Sequence, residues 1–205
     1  MAQLELQRLE VGPWPMNCYL LRCLVSGELA IVDPGADAEE ILRAAGDSLV
    51  RCIMLTHGHP DHVGALEAVR EATGAPVGIH PADAASFGLQ ADFPLIDGME
   101  VSVGEALVTI AYVPGHTAGS VCLRLNGQAV VGDAIFPGGP GHTASPQALR
   151  QSLDSLARTV LTWPDETELY PGHGIHTLVG IERTAFRRFL ETDISADLYG
   201  DVSWA

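Results

Sequence analysis

Thr56-His57-Gly58-His59-Pro60-Asp61-His62 places three imidazoles and a carboxylate within six consecutive residues. Donor groups at that density point to a metal rather than to packing. Neutral imidazole nitrogen and carboxylate oxygen suit zinc, iron and manganese, and a catalytic ion needs protein donors plus an open position for water. In an extended or turning segment, alternation sends His57, His59 and Asp61 to one side, while His62 opens the next helix and faces a second ion. One short stretch is therefore expected to serve two metals.

Four donors cannot complete two sites, so the remaining ones must come from further along the chain. His116 lies in Val113-Pro114-Gly115-His116-Thr117-Ala118-Gly119-Ser120, Asp133 in Val130-Val131-Gly132-Asp133, and His173 in Tyr170-Pro171-Gly172-His173-Gly174. Each follows a short apolar run and sits beside glycine, the setting in which a strand end turns and backbones crowd around an ion. A structural site needs only four closed donors; seven leave room for bridging water, which points to catalysis. Lone histidines such as His80 and His142 read more simply as structural or surface groups. Asp33, at the end of Ala30-Ile31-Val32-Asp33-Pro34-Gly35, reads either as a turn aspartate before proline or as a carboxylate that holds a metal-bound imidazole.

With these motifs in this order, the chain resembles the metallo-β-lactamase superfamily from the Asp33 turn to His173. The resemblance implies that His57, His59 and His116 bind one metal, that Asp61, His62 and His173 bind the other, and that Asp133 bridges both. It implies that Asp33 lies just outside the ligands. Two divalent ions, zinc first with iron or manganese as alternatives, would hold a hydroxide near neutral pH and polarise the attacked carbonyl. Asp61 and Asp133 would orient that hydroxide, and no covalent enzyme intermediate is expected. The implied fold is α/β: an αββα sandwich of two mixed β-sheets flanked by helices.

Composition agrees with a single enzymatic domain over 1–205, a length ample for a sizeable core. A formal net charge of −15 would repel long phosphate backbones, so nucleic acid is not the expected partner. That sets aside the RNA-processing branch of the superfamily. No run of eighteen apolar residues and no basic-then-hydrophobic N-terminus occurs, so a cytoplasmic protein with a small-molecule substrate and no membrane contact is expected. Oligomeric state is left open. Cys18, Cys23, Cys52 and Cys122 form no Cys-x-x-Cys pair and sit among apolar neighbours, the pattern of buried free thiols.

Strand-like runs cover Leu4 to Leu9, Asn17 to Val25, Leu29 to Asp33 and Arg51 to Thr56. A helical stripe follows through His62, Ala65, Leu66, Val69 and Ala72. Strands resume near Val101, at Val108 to Val113, Val121 to Leu125 and Ala129 to Asp133. Ser145-Pro146 then marks an N-cap and first turn leading into Leu149, Leu153, Leu156 and Val160. Thr167 to Tyr170 predicts a last strand and Ile181 to Leu190 a last helix, and the segment from Ile194 to Ala205 reads as cover for the core.

Within the superfamily the chain looks most similar to the glyoxalase II-like group, which hydrolyses thioesters of glutathione and 2-hydroxy acids. Glyoxalase II proper carries a further C-terminal helical region, whereas about thirty residues follow His173 here, so a short member of the group is expected. Phe136-Pro137-Gly138-Gly139-Pro140-Gly141 reads as a loop bordering substrate, with Phe136 and His142 as the residues facing it. Two other activities remain open. Persulfide dioxygenases share the fold with one iron on residues corresponding to His57, His116 and Asp133, a facial triad. Hydrolysis of a lactone or another ester is the third.

Overall fold

The computed structural model describes residues 3–204. Met1, Ala2 and Ala205, and with them the outer ends of both terminal segments considered above, lie outside the described residues.

Strands β1 (Leu4–Val11), β2 (Met16–Cys23), β3 (Leu29–Val32), β4 (Val50–Met54), β5 (Val77–Ile79) and β6 (Phe93–Pro94) form one sheet in chain order. The first three run antiparallel, and β3 to β6 are parallel. Parallel neighbours require crossovers. These are α1 (Ala38–Ala45), the pair α2 (Pro60–Val63) and α3 (Leu66–Thr73), and α4 (Pro81–Phe87).

The second sheet contains β7 (Glu100–Val103), β8 (Ala106–Tyr112), β9 (Val121–Arg124), β10 (Gln128–Gly132), β13 (Glu168–Pro171) and β14 (Thr177–Leu178), in the order β14-β13-β10-β9-β8-β7. Only the β10–β13 pairing is parallel, and α5 (Pro146–Arg158) makes that crossover. Between them β11 (Ile135–Phe136) and β12 (Gly139–Pro140) form a small hairpin, and α6 (Val179–Leu190) closes the order. Both sheets are therefore mixed, as the αββα reading requires.

Period-two alternation assigns each side chain to a layer. Tyr19, Leu21, Ala30, Val32 and Met54 face Val101, Val108, Ile110, Leu123 and Val130 across the sheet–sheet interface. Leu20, Ile31 and Ile53, on the opposite face of the same strands, pack with Ile41 of α1 and Leu66 and Val69 of α3. The outer face of the second sheet packs Ala129, Val131 and Leu169 against Leu149, Leu153 and Leu156 of α5 and Phe186 of α6. Each such large side chain contributes roughly 1.5–3 kcal/mol on burial. All four cysteines are buried and free, as their apolar settings suggest. Among the described residues no helix is long and apolar enough to cross a membrane.

Two local expectations are corrected, and two helices, α1 and α4, join those expected. The stripe from His62 to Ala72 is two helices, because the Ala65 N–H donates to Pro34 O at 2.9 Å instead of continuing the turn begun at Pro60. The alternation through His57, His59 and Asp61 stops at Pro60, which takes the first helical position, so Asp61 and His62 both belong to α2. Helices α1 and α4 carry only short apolar patterns. In α4 the buried inward residue is Asp83, a polar group that breaks any apolar stripe.

Candidate metal centre

Five of the seven donors lie in segments that follow strand ends, and Asp61 and His62 stand on α2 immediately after His59. His57 and His59 follow β4, His116 lies between β8 and β9, Asp133 follows β10 and His173 follows β13. Close approach among them depends on a missing side chain at Gly172, where a Cβ would lie 2.2 Å from Asp133 Oδ1 and 2.5 Å from His62 Cε1.

The structure brings all seven residues together. His57 Nε2 lies 3.0 Å and His116 Nε2 2.9 Å from His59 Nδ1, so three ring nitrogens converge on one point. His173 Nε2 lies 3.2 Å from Asp61 Oδ2, and His62 completes that second group. Asp133 stands between them. Its Oδ1 is 3.4 Å from His62 Nε2, and its Oδ2 is 3.7 Å from His116 Nε2 and 3.8 Å from His173 Nε2.

In four of the five rings, all but His59, the outer nitrogen has a partner that assigns the tautomer. His116 Nδ1 donates to His142 O at 2.8 Å and His173 Nδ1 donates to Pro15 O at 2.8 Å. His62 Nδ1 donates to Asp33 Oδ2 at 3.0 Å. Thr56 Oγ1 donates to the same Asp33 oxygen at 2.6 Å, which leaves its lone pairs to accept from His57 Nδ1 at 3.2 Å. The Nε2 atoms of His57, His62, His116 and His173 are thereby the ring nitrogens that face inward. Asp33 touches an imidazole and a threonine rather than the convergence points, and its Oδ1 also accepts from the Thr56 N–H at 2.7 Å.

This donor set fits metal ions. His57 Nε2 and His116 Nε2 both present lone pairs to His59 Nδ1, which can donate one proton at most; a cation among them removes the conflict. His62 Nε2 and Asp133 Oδ1 are buried without hydrogen-bond partners, and native interiors seldom leave such atoms alone. Electrostatics agree. Burial, aided by the neighbouring histidines, holds His57 well below the usual imidazole range and also lowers His59, so both are neutral and ready to ligate. Burial opposes charge on His62, but its contacts with Asp133 and Asp33 outweigh it and push the ring up to about 10. Burial likewise opposes charge on Asp133, and the His62 contact together with the His116 and His173 rings holds its carboxyl below the usual range.

Phe136 stacks against His173 with ring centroids 6.4 Å apart, on the open side of the cluster. His142 turns its ring outward to Asp201, 3.0 Å away, and it is its backbone carbonyl that reaches the cluster. Sequence reasoning did not find Asp83, which accepts hydrogen bonds from the loops of both His57 and His116, nor Phe87, whose ring meets His59 edge-on at 5.3 Å. A lone aspartate in a short helix carries no local signal of such a role. A surface hollow of about 650 Å³, with the paired Arg70 and Asp92 in its lining, is lined by none of the cluster.

Residues 11–173 match the family model described as "Metallo-beta-lactamase superfamily". The chain is similar to a protein named hydroxyacylglutathione hydrolase from Anaeromyxobacter dehalogenans, 40% identical over 76% of this chain and 60% of that protein. It thus spans about three fifths of that relative's length. A probable metallo-hydrolase of Bacillus subtilis is 31% identical over 86% of this chain and 93% of its own. Among solved structures, ETHE1 from Myxococcus xanthus superposes with a TM-score of 0.82 at 28% identity, covering 92% of this chain and 86% of that one. TTHA1623 in a di-iron-bound form gives 0.73 at 32% identity, covering 86% and 96%.

Proposed function

The chain belongs to the metallo-β-lactamase superfamily, and from that membership we propose that it is a binuclear metallo-hydrolase cleaving a small thioester, of the hydroxyacylglutathione kind. The observation that carries the binuclear part is Asp133, whose carboxylate stands between the two donor groups, within 3.7 Å of His116 Nε2 on one side and 3.4 Å of His62 Nε2 and 3.8 Å of His173 Nε2 on the other. The thioester part rests on the similarity to the hydroxyacylglutathione hydrolase, with which the chain shares three fifths of that protein's length.

Bound divalent ions, zinc first with iron or manganese as alternatives, would supply Lewis acidity that acidifies water and polarises the thioester carbonyl. His57 Nε2, His59 Nδ1 and His116 Nε2 would hold one ion, and Asp61, His62 and His173 the other, with Asp133 shared. The remaining steps belong to the chain. Asp61 and Asp133 accept hydrogen bonds from the attacking water and orient it. Asp33 keeps His62 on its Nδ1–H tautomer, and the carbonyls of Pro15 and His142 do the same for His173 and His116. Water adds its oxygen to the acyl carbon and gives up its protons to solvent through Asp61 or Asp133, the C–S bond breaks, and the sulfur departs as thiolate without needing an acid. Phe136 borders the open side, where the acyl group or its thiol carrier would lie.

A second reading, a mononuclear iron persulfide dioxygenase on His57, His116 and Asp133, draws on the 3.7 Å approach of His116 Nε2 to Asp133 Oδ2. The loop Gly141-His142-Thr143-Ala144, which departs from the Gly-Arg-Thr-Asp pattern associated with the dioxygenases, favours the hydrolase, whereas the group of Asp61, His62 and His173 is compatible with either reading. Hydrolysis of S-lactoylglutathione by metal-reconstituted protein, with oxygen consumption on glutathione persulfide followed in parallel, separates them. Cleavage without oxygen uptake supports the hydrolase. Oxygen uptake without cleavage overturns it.

A further inference from the structure

Asp83 is fully buried on α4 and takes no part in either donor group. Its Oδ2 accepts from the Gly58 N–H at 2.9 Å and from Thr117 Oγ1 at 2.8 Å, and its Oδ1 accepts from the Gly119 N–H at 2.6 Å. Gly58 separates His57 from His59, and Thr117 follows His116. One carboxylate therefore ties together the two loops that carry the three-histidine group.

The packing is built around this contact. A Cβ on Gly119 would lie 2.6 Å from Asp83 Oδ1 and 2.7 Å from its backbone N, and a Cβ on Gly58 would lie 2.3 Å from the ring of Phe87. Asp83 and Phe87 stand one turn apart on the same face of α4, so the helix presses both onto the loops at once. Phe87 also sets its ring against the edge of His59.

All three hydrogen-bond partners of Asp83 are neutral. A buried carboxylate without a cation is costly, and an apolar or amide group usually serves stability better. What the carboxylate alone provides is acceptance of three hydrogen bonds from two separate loops, charge-assisted and short. An asparagine would present its NH2 toward either the Gly58 or the Gly119 N–H and leave that donor unpaired. The second group is held by other means: α2, Asp33, Pro15 O and the β13 turn, none of which supplies a hydrogen bond to the Asp83 carboxylate.

We propose that Asp83 is a positioning residue for the three-histidine group, setting the spacing of His57 and His59 against His116, so that loss of its charge weakens one metal equivalent and spares the other. This rests on the reading of the cluster as a two-metal site.

The test is cobalt titration of the metal-free full chain, followed by visible absorption in competition with a chelator. His116→Ala and Asp61→Ala identify which equivalent belongs to which group. Asp83→Asn is expected to weaken the His116-dependent equivalent by about tenfold or more and to change the other by less than about twofold. Both equivalents unchanged would overturn the proposal. So would equal weakening of both alongside a lowered melting temperature, the signature of a purely structural role. If Asp83→Asn does not fold, Thr117→Ala removes, at a half-buried position, one of the three hydrogen bonds to Asp83 together with the contact to Ser120 Oγ, and Ser120→Ala controls for the latter; selective weakening of the same equivalent by Thr117→Ala beyond that of Ser120→Ala supports the proposal and no such weakening overturns it. Wild-type protein that binds one cobalt would defeat the binuclear reading instead, and Asp83→Asn then either weakens that equivalent or disproves the positioning role.

Discussion

His62 and Asp33 are both fully buried and meet at 3.0 Å, Nδ1 to Oδ2, with no other hydrogen bond to the imidazole. The contact turns His62 Nε2 toward Asp133, and the same carboxylate collects the N–H and hydroxyl of Thr56. Strand β3 thereby orients one ring directly and His57 through Thr56.

Removing that carboxylate is expected to be expensive. Asp33→Ala leaves three buried donors without an acceptor, and breaking a buried pair of this kind costs about 3–5 kcal/mol. Asp33→Asn, which keeps the volume, should fold and lose affinity for the Asp61–His62–His173 metal by about 10–100-fold. Metal content against free-metal buffers, with thermal unfolding of the metal-free variants, checks both. Wild-type affinity in Asp33→Asn would show that the ring needs no such partner.

Asp61→Ala should remove one of two metal equivalents and reduce thioester hydrolysis by at least about 100-fold, because the water loses an orienting carboxylate together with an ion. If the dioxygenase reading holds instead, iron-dependent oxygen consumption survives in part. Undiminished hydrolysis in this variant is incompatible with the binuclear mechanism.

Metal-free protein should lose stability as pH rises. His62 is raised from 6.5 to about 10 by Asp133 and Asp33 against the opposing effect of burial. A raised histidine contributes its full stabilisation below the unfolded value of 6.5, and that contribution is lost as pH climbs through about 10. Calorimetry from about pH 7 to about pH 9 should show a falling melting temperature for the metal-free chain. The metal-loaded chain, in which an ion replaces the proton on Nε2, should change less, and uptake of metal near pH 8 should release a proton. Identical pH slopes for the two forms would contradict this.

Gly172→Ala places a Cβ 2.2 Å from Asp133 Oδ1. Overpacking of this sort costs about 1–3 kcal/mol, and here the yielding atom is the shared donor. Reduced occupancy of both metal equivalents is expected, seen by elemental analysis after dialysis. Full occupancy would mean that the β13 turn can shift without moving Asp133.

Much of the architecture was legible beforehand. The period-two runs of β2, β3, β8 and β10 carry apolar residues on both faces, which only layers on both sides can bury, and the spacing of Leu149, Leu153 and Leu156 marked α5 directly. Helix α4 was not legible, because the residue it buries is an aspartate whose partners lie 25, 34 and 36 residues away. The break between α2 and α3 was hidden for the same reason: Pro34 O, from another strand end, takes the Ala65 N–H.

By itself the sequence determined the chemistry of the donors and their order, since imidazole and carboxylate carry their ligand character wherever the chain puts them, and glycine beside His116, Asp133 and His173 marks places where backbones can close in. Only the tertiary structure decided which nitrogen of each ring faces inward. His173 is oriented by Pro15, 158 residues away, and His116 by the carbonyl, not the side chain, of His142. Tautomer and spacing are properties of the partner on the far side of each ring, and the fold selects that partner.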